Sequence, residues 1–330
     1  MTGTVYLVLG ALLVGGVLAG LGLGTTPIPA GRLLAYAVGD RDALSPAELL
    51  IVGRIRLPRV LFGLLVGGAL AVAGGVMQGL FRNPLASPYT LGLAGGASAG
   101  AAVVITTGLA QGRLWALPGG AFLGAAASAL AVGALARTRK GTPPLALILA
   151  GIALASLLSA VTGALIYFAN PQEKGAILVW TMGGLDRATP AALAYLVPLV
   201  VGGIVVVLAF ARDLDILALG DEQASHMGIV PGRVRFVLLG ATTIMTAAAV
   251  ATAGPIGFVG LIVPHALRLV LGPSHARLLA ASALAGGAFL VWADLGARLV
   301  LRPVELPVGL ITAFLGVPFF LYLLRRGVAQ

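Results

Sequence analysis

The chain has 330 residues, of which 59% are hydrophobic and only 10% charged, and its mean hydropathy is +1.05. A soluble domain carries about 25% charged residues, so this composition cannot clothe a water-facing surface. It excludes a string of soluble domains, disorder and collagen-like repeats, and leaves a polytopic membrane protein. The formal net charge of +10 lies at the edges of apolar runs, where lipid headgroups and partner proteins, not nucleic acid, are the expected acceptors.

A bilayer core takes about 20 apolar residues per helix, and runs of that kind recur ten times. In chain order they are Val5–Leu23, Leu57–Leu80, Leu91–Leu109, Leu114–Ala136 and Leu145–Phe168, then Ala191–Ala211, Phe236–Thr252, Ile256–Leu271, Leu278–Leu301 and Leu306–Leu324. The first is too long for a signal peptide and lacks a basic leader and cleavage site, so it is expected to be a retained span. The eighth is short and flanked by Gly and Pro. Lipid tolerates only helices or closed barrels, and these runs are too long and continuous for barrel strands. The predicted fold is an all-α bundle of about ten transmembrane helices, a single transmembrane domain over residues 1–330. The 48 glycines suit it, because small residues let membrane helices approach closely.

Three polar segments interrupt the runs: Thr25–Arg56, Asn170–Pro190 and Arg212–Arg235. In the last, Leu214, Leu217 and Leu219 with Met227 predict one face of a short interfacial helix, closed by Gly228 and Pro231. Charge does not orient the chain. With a cytoplasmic N-terminus, eleven of the 21 basic residues fall inside and ten outside.

Arg54, Arg56 and Arg59 crowd the start of the second run, a costly placement unless something anionic meets them. Snorkelling to headgroups and docking of a partner's acidic side chains both satisfy that requirement. Past the other end of this run, Asn83-Pro84 and Ser87-Pro88 form either an ordinary turn or a constriction on a pathway. Asp294, Arg298, Arg302 and Glu305 cluster where the ninth and tenth runs meet. Asp294 and Arg298, spaced i and i+4, can pair on one helix face, either as a self-satisfied pair or as part of a docking surface. The stretch AGPIGFVGLIVPH, Ala253–His265, predicts a short or broken helix. With no Cys and with His226, His265 and His275 scattered, no metal site is expected. There is no GxxxxGK[ST], no HExxH and no GxSxG, so neither a phosphate-cradling loop nor a hydrolase site is present in the sequence. The nearest residue to a proton carrier's mid-span acid is Asp294, and Arg298 stands one turn away. Any work done must draw energy from elsewhere, and a self-powered carrier or channel is the competing class.

Five stretches in order, IRLPR, GGALAVAGGVMQGLFRNPLASP, LALGDEQASHMG, GPIGFVGLIVPH and ELPVGLITAFLGVPFFLYLL, resemble the FecCD family. These are the transmembrane permease subunits of type II ABC importers for iron–siderophore complexes, heme and cobalamin. The resemblance runs from about Val52 to Arg325. It implies ten spans in the bacterial cytoplasmic membrane with both termini cytoplasmic, and a homodimer (or paired homologues) around a central path. It also implies two ATP-binding subunits inside, carrying the ATP and Mg, and a periplasmic or lipid-anchored substrate-binding protein outside. No cofactor is implied in this chain. By position, Arg56, Arg59 and Arg298 fall where the family receives carboxylates of the binding protein. Residues from about 213 to 230 fall at the cytoplasmic coupling helices, with Leu217, Ala218, Leu219, Gly220, Asp221, Glu222, Ala224 and Gly228 as the expected contacts to the ATPase. Asn83 and Leu85 match positions that narrow the cytoplasmic end of the path. The neighbouring gate in cobalamin importers uses small hydroxyl residues, whereas Thr142, Pro143, Pro144 and Leu145 stand here. The expected cargo is an iron chelate, siderophore or heme, with cobalamin as the alternative.

Overall fold

The computed structural model describes residues 2–137 and 143–325, and every regular element among them is helical. Thr142 of the expected gate lies outside the described residues. Helix α1 (Thr2–Gly22) is followed by two short helices, α2 (Ala30–Ala37) and α3 (Pro46–Leu50), in the first polar segment. A π-helical turn over Ile51–Arg56 then joins α3 to α4 (Leu57–Phe81) without interruption, giving one rod of 36 residues. At about 1.5 Å per residue the rod is ~54 Å long against a hydrocarbon core of ~30 Å. Its first turns therefore stand clear of the membrane. The chain continues through α5 (Leu93–Thr106), α6 (Ala116–Leu135), α7 (Pro144–Phe168), α8 (Pro171–Thr181) and α9 (Pro190–Ala209). It ends with α10 (Ala211–Leu217), α11 (Asp221–His226), α12 (Pro231–Ala253), α13 (Val259–Leu271), α14 (His275–Leu299) and α15 (Val308–Arg325).

Seven of these elements are long and apolar enough to cross a membrane: α1, the α3–α4 rod, α6, α7, α9, α12 and α14. The shorter apolar helices α5, α13 and α15 fall in the other three expected apolar runs, so each of the ten runs holds one helix, three of them shorter than a full span. Two expectations for the polar segments change. About half of Asn170–Pro190 is helical, because Asn170 and Glu173 close a capping box and Pro171 supplies the first helical residue of α8. The segment after α9 is two helices, since Gly220 at φ +135° separates α10 from α11. Leu214 and Leu217 point into the core, while Leu219 and Met227 are 64% and 58% exposed, so the four do not share a face.

Helix α4 is the centre of the bundle, buried without a break from Val66 to Phe81. Its apolar character all round is what such a position requires. Its glycines admit its neighbours' backbones. A methyl group at Gly67 would land on the carbonyl of Gly286 in α14, and one at Gly74 on the carbonyl of Gly260 in α13. Gly96 and Gly100 of α5 meet Gly124 and Gly120 of α6 in the same way. In lipid no hydrophobic effect drives helices together, so this backbone proximity and its dispersion contacts hold the bundle. Helices α1, α6, α7 and α9 lie at the periphery with most of their side chains outward.

Two stretches of irregular backbone run through the interior. After α4 ends on left-handed Arg82, the chain turns back along it and makes a 3₁₀ turn at Pro88–Leu91. Between α12 and α13, residues 254–258 are non-helical, with Phe258 at φ 66°. Tyr89 ties the two together: its hydroxyl donates to the Ile256 carbonyl at 2.8 Å and accepts from the Ile256 N–H at 3.0 Å. Such backbone survives at membrane depth because protein groups, not lipid, surround and satisfy it.

The glycine edges carry a simple expectation. Gly67→Ala should destabilise the protein by about 1–3 kcal/mol or more through overpacking, read as a lower melting temperature in detergent. Gly133→Ala, where an added methyl meets nothing within 4 Å, should leave that temperature unchanged or slightly raised. Equal stability of the two variants would remove the packing argument.

Candidate docking, gate and coupling sites

The candidate residues gather at two opposite ends of the bundle. At one end the C-terminus of α1, the N-terminus of α4, the C-terminus of α14 and the N-terminus of α15 converge. There Arg59 donates from Nε and Nη2 to Asp294 Oδ1 at 3.0 and 2.9 Å, and from Nη1 to Glu305 Oε2 at 2.8 Å. Arg298 Nε lies 3.0 Å from Asp294 Oδ2, off the line of a hydrogen bond, so charge rather than directed bonding holds this i,i+4 pair. Arg56 is turned elsewhere. Its Nη1 donates to the carbonyls of Leu21 and Gly22 at 2.6 and 3.1 Å, and its Nη2 to Thr26 at 2.6 Å. The first two are carbonyls that α1 leaves without a helical partner at its C-terminus, and a guanidinium there also meets the negative end of the helix dipole.

All three arginines expected to receive outside carboxylates therefore have internal partners. Arg56 and Arg298 are buried, and the Arg59 side chain is 13% exposed. Three cations against Asp294 and Glu305 leave this cluster at +1. Exposed Arg54 and Arg302 beside it add positive charge toward solvent. Arg59, Asp186, Glu305 and the backbone of Gly183 and Gly184 also line a cavity of about 210 Å³ that opens at this end.

At the other end, α4 stops at Arg82, whose Nη2 donates to the Leu217 carbonyl at 2.9 Å. The gate candidates follow directly. The Asn83 side-chain oxygen accepts from the Leu85 N–H at 2.9 Å, a local turn that fixes the backbone, and the Leu85 side chain is left partly exposed. Pro143 and Leu145 are exposed at the start of α7, two turns before Gly151 packs on the Thr90 carbonyl.

The coupling candidates divide by which way they face. Leu217 and Ala224 are buried inside the bundle, whereas Ala218, Leu219, Glu222 and Gly228 are exposed, Gly228 at φ +81°. Gly220 forms the break between the two short helices. Asp221 is exposed but committed, because Arg235 donates two bonds to it at 2.6 and 2.7 Å and Arg82 lies 3.8 Å away. Those bonds from Arg235 hold the Asp221 carboxyl below its usual range. A depressed folded-state pKa contributes stability that is present above the unfolded value, ~3.9, and is lost as pH falls through the folded one. The tie between α11 and α12 is therefore intact at neutral pH. Helix α1 begins at this end too, since the Tyr6 hydroxyl donates to the Arg277 carbonyl in the first turn of α14 at 3.1 Å. Among the described residues no group of three His, Asp or Glu is placed to hold a metal ion.

A lipid-embedded helical bundle with a basic cluster at one end and paired short helices at the other has the build of a transporter's membrane subunit. The profile of the FecCD transport family matches residues 12–326, and the chain belongs to that family. Relatives include the cobalamin import system permease protein BtuC of Halobacterium salinarum, 45% identical over 92% of this chain and 80% of that one. The hemin transport system permease protein HmuU of Yersinia pestis is 42% identical over 82% of each chain. The Fe(3+) dicitrate transport system permease protein FecD of Escherichia coli is 39% identical over 95% of this chain and 96% of that one. Among solved structures, an inward-facing metal-chelate type ABC transporter superposes with a TM-score of 0.87 at 28% identity, covering 99% of this chain and all of that one. The PsaBC structure from Streptococcus pneumoniae shares the fold alone, with a TM-score of 0.56 at 17% identity.

The arginine cluster separates two carboxylates by burial. Asp294→Ala leaves buried Arg298 without its carboxylate and nearly buried Arg59 with Glu305 alone, and should cost about 3–5 kcal/mol. Glu305→Ala removes a half-exposed partner (49%) and should cost less than about 1 kcal/mol. Thermal or denaturant unfolding in detergent compares them, and equal losses would contradict the assignment.

Proposed function

We propose that this chain is the transmembrane permease subunit of an ATP-binding-cassette importer that moves an iron chelate, siderophore or heme, across the cytoplasmic membrane. The reading is supported by the family match and by relatives named for hemin and ferric dicitrate transport. Cobalamin is the second reading, favoured by the cobalamin import permease of Halobacterium salinarum. The observation that carries the mechanism is the two-sided α10–α11 segment. Its inner face, Leu214, Leu217 and Ala224, is fastened in the bundle, while Leu219, Met227 and Val230 are exposed apolar residues beyond the membrane-crossing helices. An element built this way transmits the motion of a protein seated on it as rigid-body displacement.

In this reading the whole chain is one transmembrane domain paired with a second copy around the path. Two ATP-binding subunits, which hold the ATP and Mg, seat on residues 213–230. The end bearing the termini and α10–α11 is cytoplasmic, with Asn83, Leu85 and the start of α7 narrowing the path there. A periplasmic or lipid-anchored binding protein docks on the opposite end. Arg59 is the docking arginine best placed to exchange its half-exposed partner Glu305 for an incoming carboxylate, with Arg298 paired to Asp294 and Arg56 fixing the backbone at the end of α1. Exchange of one carboxylate for another sets register and encounter rate more than affinity. The permease itself is not an enzyme.

Reconstitution tests this directly. The chain alone in proteoliposomes should move no cargo. With its ATPase, its binding protein and ATP it should accumulate a ferric siderophore, heme or cobalamin, and which of these it takes decides the cargo. Uphill uptake by the chain alone, driven by an ion gradient, would establish the self-powered carrier instead.

A further inference from the structure

Helix α14 is capped by a residue of the coupling segment. Ser274 occupies its N-cap position, yet its side chain caps nothing. The free N–H of His275 is instead met by Asp215 of α10, sixty residues earlier, whose Oδ1 accepts it at 2.8 Å. The same oxygen lies 2.5 Å from His275 Nδ1. A carboxylate at a helix N-terminus satisfies an orphan donor and meets the positive end of the helix dipole. This one is supplied by a different element, so the cap is also a joint.

The surroundings make the joint stiff. Gly79 of α4 leaves the space into which both Leu214 of α10 and the His275 ring pack, and a methyl group there would collide with His275 Nε2. That Nε2 is buried and has no hydrogen-bond partner. A neutral ring with its proton on Nδ1, donated to Asp215, leaves only a lone pair unsatisfied there and not a buried N–H, which favours the bonded tautomer. Arg268 of α13 adds an electrostatic attraction to the same carboxylate. From this joint α14 (25 residues in all) reaches Asp294 after ~29 Å and Arg298 after ~35 Å. Along that length its backbone touches α4 at Gly67, Gly68, Gly286 and Gly287, and Asp294 is tied to α4 again through Arg59.

We propose that Asp215, by capping α14 through His275, is the positioning residue that makes the coupling segment and the α4–α14 pair move as one body, linking the ATPase end to the arginine cluster. This inference rests on the importer reading above. An α10 freed from α14 would follow the ATPase while the α4–α14 pair lagged, so ATP would be hydrolysed without matching transport.

The test uses the full transporter, permease with ATPase and binding protein, in proteoliposomes. In Asp215→Ala the ATP consumed per cargo molecule should rise by roughly fivefold or more, as expected for loss of a helix cap. Asp215→Asn keeps an oxygen to accept the His275 N–H and should stay close to wild type. The chain has no cysteine, so a double variant, Asp215→Cys with His275→Cys, can be bridged by oxidation or a short bis-thiol reagent. Bridging should restore coupling that the reduced form lacks, and this readout holds even where Asp215→Ala assembles poorly. A wild-type ratio in Asp215→Ala, or a bridged double variant that stays uncoupled, overturns the proposal. Amide exchange in the first turn of α14, measured on the permease alone, should speed up in Asp215→Ala, and unchanged protection likewise overturns it. Because that measurement needs no ATPase, failure of the wild-type chain to pair with one counts against the importer reading and not against the cap.

Discussion

Everything in this molecule hangs on how closely α4 can be approached. Lipid chains are as apolar as leucine, so nothing expels the helices from the bilayer into each other's company; only contact itself does. Gly67, Gly68, Gly74, Gly75 and Gly79 give α4 flanks without side chains, onto which the backbones of α13 and α14 and the side chains of Leu279 and His275 settle. The two ends of the molecule inherit their geometry from this axis. Arg59 reaches Asp294 because α14 lies against α4, and Leu214 and His275 share a cleft because Gly79 leaves it open.

The broken helices follow from the same constraint. A helix crossing the full membrane against α4 would bury only its own regular backbone. Instead α5 and α13 are short, and the chain before each of them is irregular. Tyr89 resolves the polar cost by offering one hydroxyl as both donor and acceptor to Ile256, the two capacities a hydroxyl has. Phe258, held in a left-handed conformation, lays its ring over Gly316 of α15, where a side chain would collide with it. The interior thus holds irregular backbone whose Ile256 peptide is satisfied by protein and not by lipid.

Much of the fold was legible in the sequence, because an apolar run of membrane length has few alternative fates. The polar connections are partly helical, and the signals for it are local ones. Asn170-Pro171 with Glu173, and Ser45-Pro46 with Glu48, are capping boxes with a helix-starting proline, a pattern that apolar-run counting passes over. The segment from 213 to 230 folds as two helices and not as the single interfacial helix expected, because Gly220 divides it and leaves Leu219 exposed. The contacts that define the ends lay beyond sequence reach. Asp294 with Arg298 is visible at four residues' spacing, but Arg59 finds Asp294 across 235 positions and Asp215 finds His275 across 60. No pattern in a single sequence selects these partners from the other arginines and acids. The arginines themselves were recognisable as costly at a helix start, yet that Arg56 serves α1's carbonyls depends on how α1 meets α4.

The π-turn at Ile51–Arg56 gives the chain length of that segment a meaning of its own. Arg54 faces solvent while Arg56 and Arg59 face inward, and the wide turn sets the angular phase between them. Each residue of an α-helix advances the azimuth by about 100°, and a π-turn is the insertion of one extra residue into such a helix. Removing a single residue there would leave every span its full length and every charge in place. It would nonetheless swing either the membrane rod or the outer α2–α3 segment round its axis, parting Arg56 from α1 or Arg59 from Asp294. For this protein a register count at the membrane surface is as much a structural element as any helix below it.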